Sequence, residues 1–109
     1  MRNIGILVAT KGIDEAMKAS PSFSFSVQSA IMKFRSNDWG KTCEEDSTMN
    51  DMALEHRERI LAAYDSTLGD IWLTTEYYPK DYYEDCFGPV PDSREEYFPV
   101  TTILFPHEY

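Results

Sequence analysis

The chain changes its hydrophobic period once, near Arg59, and that switch constrains what it can fold into more than any other feature. Before it, Val27, Ala30, Ile31 and Phe34 fall at i, i+3, i+4 and i+7, the spacing of one apolar helix face. This predicts a helix starting among Ser22 to Ser26 and ending before Ser36-Asn37-Asp38. Met49, Met52, Ala53 and His56 repeat the interval, predicting a helix over 46–57 with acids gathered at its positive end. A shorter helical face, Ile13, Ala16 and Met17, precedes Pro21, read as its stop signal. After Arg59, Ile60-Leu61-Ala62-Ala63-Tyr64 and Ile71-Trp72-Leu73-Thr74-Thr75 are strand-type runs joined by residues with hairpin turn chemistry.

Ile4, Ile6 and Val8 alternate with Gly5, Leu7 and Ala9, so both faces of this stretch are apolar or small, as in a strand buried on both sides. Val100 to Phe105 is a last strand, closed by Pro106. The expected fold is α+β: an antiparallel sheet of about four strands, from 3–9, 59–65, 70–77 and 99–105, with two or three helices on one face. A chain of 109 residues supports one such domain. Between the last two strands lie Pro79, Pro89, Pro91, Pro99 and Gly88, which predict a long irregular loop over about 77–98.

The C-terminal part that contains this loop also holds nearly the whole charge excess of the chain. Residues 1–64 carry nine acids and eight bases, whereas residues 65–109 carry ten acids and only Lys80 and Arg94. Glu76, Asp81, Glu84, Asp85, Asp92, Glu95 and Glu96 are interleaved with Tyr77, Tyr78, Tyr82, Tyr83, Phe87 and Tyr97. An acidic run alone reads as a solvated surface that aids solubility. The aromatic rings argue for more. The net charge of -9 speaks against direct contact with nucleic acid, which requires clustered Lys and Arg. The longest uncharged apolar stretch, Ile4 to Thr10, falls far short of the ~20 residues a membrane span needs. Two cysteines, Cys43 and Cys86, build neither a disulfide framework nor a four-ligand zinc site, and fit a cytoplasmic setting.

Several strings in one order carry a family resemblance: Asp38-Trp39-Gly40, Glu45-Asp46, Asn50, Ala53-Leu54, Ile60 to Tyr64, Ile71 to Glu76, and Thr101 to Tyr109. They resemble a family of small uncharacterised proteins of bacterial plasmids and integrative elements, often labelled as a type I restriction methyltransferase subunit. The resemblance implies a mobile-element origin. It does not imply methyltransfer, because no glycine-rich nucleotide loop or Asn-Pro-Pro-Tyr-type motif is present. Relatives pass directly from the Thr-Glu pair to the Thr-Thr strand, so residues 77–98 read as an insertion.

Catalytic patterns are weak. Glu44, Glu45, Asp46 and Asp51 lack the spacing of a calcium loop and read as helix N-terminal acids. Trp39, after a helix end, reads as a core plug. His56 and His107 belong to no His-Glu-x-x-His pattern, and nothing brings Cys43 or Cys86 to a histidine. A restriction-like nuclease centre built from Asp65 or Asp70 with Glu76 lacks its lysine, because Lys80 lies at the wrong spacing beyond Pro79. The expectation is therefore no catalytic residue, metal or cofactor. In its place we expect a partner-binding surface at Glu76, Tyr78, Asp81, Tyr82, Tyr83, Glu84, Asp85, Glu95 and Glu96. The expected partner is a host defence protein, in particular a CRISPR effector with a basic nucleic-acid groove; a protein-binding accessory module of a plasmid is the alternative.

Overall fold

The computed structural model describes all residues, Met1–Tyr109. Strand β1 (Ile6–Ala9) leads into helix α1 (Lys11–Ala19), α2 (Pro21–Arg35) and α3 (Glu44–His56). The hairpin β2 (Ile60–Ser66) and β3 (Gly69–Pro79), helix α4 (Lys80–Phe87), strand β4 (Tyr97–Leu104) and a final turn of 3-10 helix (Pro106–Glu108) follow. The fold is α+β, with four strands in the order β1-β4-β3-β2.

Local chemistry explains most of these boundaries. The Thr10 side chain caps α1 by accepting from the Ile13 N–H, and Ser20 does the same for α2 through Phe23. α1 ends at Ala19, ahead of Pro21 as expected, and Pro21 also opens α2 just before the expected start at Ser22 to Ser26: at the first helical position its missing N–H has no partner to lose. α3 ends where Arg57 takes a left-handed conformation, φ 54°.

The sheet is mixed where a wholly antiparallel one was expected. β2–β3 and β3–β4 are antiparallel, whereas β1 pairs with β4 in parallel, Ile6 opposite Val100 through Ala9 opposite Ile103. The parallel pair needs a long crossover, which the three helices and the hairpin supply. Because β1 lies at the edge, it is not buried on both sides: Leu7 and Ala9 are exposed.

The main core lies between the sheet and the first three helices. Ile13 of α1, Phe23, Val27, Ala30 and Phe34 of α2, and Ala53 of α3 meet Ile60, Ala62, Tyr64, Ile71, Leu73 and Ile103. Trp39 is buried as expected, edge-on to Phe34 at 5.7 Å, with its indole N–H donating to Asp51 at 2.9 Å. Within the core the Thr75 and Thr101 hydroxyls meet at 2.7 Å, and Thr101 also donates to the Ile4 carbonyl at 2.8 Å. These two threonines satisfy one another and tie the segment entering β1 to the sheet centre. No helix is long and apolar enough to cross a membrane.

Candidate protein-binding surface

The expected irregular loop over 77–98 is corrected at both ends: β3 and β4 extend into it and α4 fills 80–87, so that only 88–96 is irregular. β3 runs on to Pro79 and β4 begins at Tyr97, adding the pairs Tyr77–Pro99, Tyr78–Phe98 and Pro79–Tyr97. The prolines are placed where they lose nothing. Thr10 donates to the Ile103 carbonyl, so the odd-numbered residues of β4 turn their main-chain groups toward β1; Pro99 does so just before that ladder begins at Val100. Pro79 ends its strand and precedes α4, a helix of eight residues closed by Gly88 at φ 90°. The Lys80 N–H donates to the Glu96 carbonyl at 3.0 Å and closes the neck of the excursion.

α4 lies on the sheet face opposite the main core. Its anchor is Tyr83, only 5% exposed, which packs with Phe98 and Val100 and is bordered by Ile6, Val8, Tyr78 and Val90. Tyr83 was expected on the binding surface; it is instead buried and holds that surface in place. Phe87 lies 5.3 Å from Tyr83, and Tyr78 lies 4.8 Å from Tyr82 and 6.0 Å from Phe87, ring centre to ring centre. Burial, followed by the neighbouring Tyr82, Glu76 and Cys86, raises the pKa of Tyr78, so its hydroxyl is neutral near pH 7.

The outward surface combines three exposed rings, Tyr82 (55%), Tyr97 (50%) and Phe87 (38%), with exposed Asp81, Glu84, Asp85, Glu95 and Glu96. Among the expected acids, Glu95 pairs with Arg57 at 3.3 Å and Glu76 with Arg59 at 3.8 Å, both in solvent-exposed positions. Glu76 stands on β3, outside the helix, beside the half-buried Tyr78. Tyr97 and Phe87 were in the aromatic run but were not singled out; the place of Tyr97 depends on the hairpin register, which sets it opposite Pro79, and that of Phe87 on the turn of α4.

The nuclease-like set is dispersed. Lys41 bridges Asp65 at 3.0 Å and Asp70 at 2.7 Å at the hairpin turn, while Glu76 lies six residues further along β3, about 20 Å away at strand rise. No group of three or more His, Cys, Asp or Glu residues converges as a metal site. Cys43 and Cys86 are exposed and free, on α3's capping position and on α4. Comparison with family models, with characterised proteins and with solved structures gives no match.

Proposed function

We propose that the protein is a non-catalytic binding module that competes with nucleic acid for a basic groove on another protein. We further propose that it acts as an anti-defence inhibitor of the anti-CRISPR kind, directed at a CRISPR effector of the bacterial host. The observation that carries the reading is the surface of α4 and the adjoining return into β4, where exposed Asp81, Glu84, Asp85, Glu95 and Glu96 accompany exposed Tyr82, Phe87 and Tyr97. Carboxylates spaced along a helix present negative charge to a groove built for phosphates, and rings held by packing bury large area at low entropic cost. The mobile-element resemblance supplies the defence context, since an incoming element gains from disarming its host.

The test is binding kinetics with a guide-loaded effector purified from the host, at two salt concentrations. Charge reversal at Glu84, Asp85, Glu95 and Glu96 is expected to slow association and to flatten its salt dependence, because long-range attraction is screened within ~8 Å at physiological salt. Target DNA is expected to compete. Binding that ignores the reversals, or that tolerates bound target DNA, overturns the reading.

A further inference from the structure

The two edges of the sheet are finished differently. On the outer edge of β2, the Ala63 carbonyl accepts from the Lys41 N–H at 2.9 Å and the Ala63 N–H donates to Thr42 Oγ1 at 2.9 Å. The Asn50 side chain spans both main-chain groups of Leu61, donating to the carbonyl at 2.9 Å and accepting from the N–H at 3.3 Å. That edge is closed. On β1, Thr10 donates to Ile103, so by alternation Ile6 and Val8 face β4 while the N–H and C=O groups of Leu7 and Ala9 point away from the sheet. No strand pairs with this edge, and no loop main-chain hydrogen bond reaches Leu7 or Ala9.

Open edges are normally blunted by charge, proline or a bulge. From Asn3 to Thr10 there is no charged residue and no proline, and Leu7 is 44% exposed. At the N-terminal end of the strand a cavity of about 590 Å³ opens, whose lining includes Asn3, Gly5 and Ile6 together with Asp92, Glu95 and Tyr97. Gly5 forms its floor at φ 66°, where any side chain would run into the Pro99 carbonyl. Glu95 already holds one guanidinium there, that of Arg57 at 3.3 Å. The cavity lining carries Asp92 and Glu95 against Arg57, a net negative charge of one.

We propose that the outer edge of β1 receives an extended segment of the partner protein as a fifth strand, with a lysine or arginine of that segment seated in the cavity beside Glu95 and Tyr97. Main-chain hydrogen bonds to Leu7 and Ala9 would supply affinity, and the basic end would supply orientation. The basic residue rests on the functional reading above; the strand addition does not. A second copy is a poorer occupant, since each copy carries a net charge of -9.

The probe is a displayed library of random decapeptides selected on the immobilised full-length protein. Enriched peptides are expected to alternate β-branched or apolar residues with polar ones and to end in Lys or Arg. Bound as synthetic peptides, they are expected to slow amide exchange at Leu7 and Ala9. Ala9→Pro removes an outward N–H while leaving the β1–β4 ladder intact, and is expected to weaken them about tenfold. Glu95→Gln is expected to weaken only the basic-ended ones. Failure to enrich any peptide, protection confined to other amides, or equal binding to a folded Ala9→Pro variant overturns the proposal. Should that variant not fold, the exchange pattern of the wild-type protein decides alone. Alternating peptides without a basic residue would sink the cavity assignment and count against the basic-groove reading while leaving strand addition standing. Dimerisation through β1 in sedimentation equilibrium would replace the partner segment by a second copy and overturn the occupant.

Discussion

The two faces of this sheet do different work with similar residues. On one, fourteen buried residues, all but Ile4 and Trp39 from three helices and the strands, form a continuous core; on the other, Tyr83, Phe98 and Val100 form a cluster of three beneath α4. Both use aromatic rings, but the first surrounds them and the second leaves most of them half open. A fold whose stability rests on one face is free to vary the other, and that is where the acids and exposed rings collect. Truncating a core ring tests this most severely. Phe23 is fully buried and stacks on Phe105 at 5.6 Å, so Phe23→Ala is expected to destabilise by about 3–5 kcal/mol, read by chemical denaturation. A loss below ~1 kcal/mol would mean that the helix side does not dominate.

The same truncation on the other face is expected to have a smaller and more local effect. Tyr83→Ala removes the anchor of α4 and should cost about 1.5–3 kcal/mol. Amide exchange should accelerate mainly in α4 and the 88–96 return while the helix-side core stays protected. Uniform acceleration across α1, α2 and the strands would show that both faces unfold as one unit.

What was legible in the sequence follows the same division. Val27, Ala30 and Phe34 announced α2 because their period reports a buried helix face, and Trp39 was placed correctly because a Trp behind a helix end has few other uses. The antiparallel pairing of β2 and β3 followed from the turn residues between them. Two things were not legible. Whether β1 sits inside or at the edge depends on partners nearly a hundred residues away, and an apolar strand reads alike in both places; its parallel pairing was hidden for the same reason. In residues 77–98, counting prolines as breakers missed that Pro79 and Pro99 stand where no donor is required. Tyr82 and Tyr83 are adjacent and identical, yet one is exposed and the other buried, because a helix turns neighbouring side chains about 100° apart.

The C-terminal tail joins the two faces, and a change there should have an intermediate effect. Phe105 stacks on Phe23 on the core side, while Tyr109 meets Trp72 edge-on at 5.5 Å on the other. Between them the Glu108 carboxylate accepts from the Phe105 N–H at 2.8 Å, the Thr10 hydroxyl at 2.7 Å and the Gly12 N–H at 3.3 Å. Burial pushes the Glu108 pKa up, but these hydrogen bonds outweigh it and the net shift is downward. A depressed folded pKa adds stability above the ordinary carboxylate range, lost as pH falls through the folded value. Glu108→Gln is expected to cost about 1 kcal/mol at neutral pH, with the gap in melting temperature from wild type narrowing below about pH 4. A gap that is constant across pH would show that the charge is not what holds the tail.

The smallest expected effect on stability is at the surface that matters most for the proposed function, and this makes it the sharpest test of the division. Glu84, Asp85 and Glu96 are exposed and make no salt bridge, while Glu95 has only its exposed pair with Arg57. Exposed pairs contribute little, and surface substitutions usually stay within ~0.5 kcal/mol. Relieving mutual repulsion in a chain of charge -9 offsets part of even that loss. The melting temperature of the fourfold charge reversal should therefore stay within a few degrees of wild type. Tyr82→Ala should behave likewise in melting, since Tyr78 keeps its second neighbour Phe87. In partner binding the two variants should separate: the reversals slow association, whereas loss of the Tyr82 ring speeds dissociation, by on the order of 2 kcal/mol if the ring is a central anchor. If instead both variants melt early and bind normally, α4 is a structural cap with a solvated exterior, and the two faces differ in size alone.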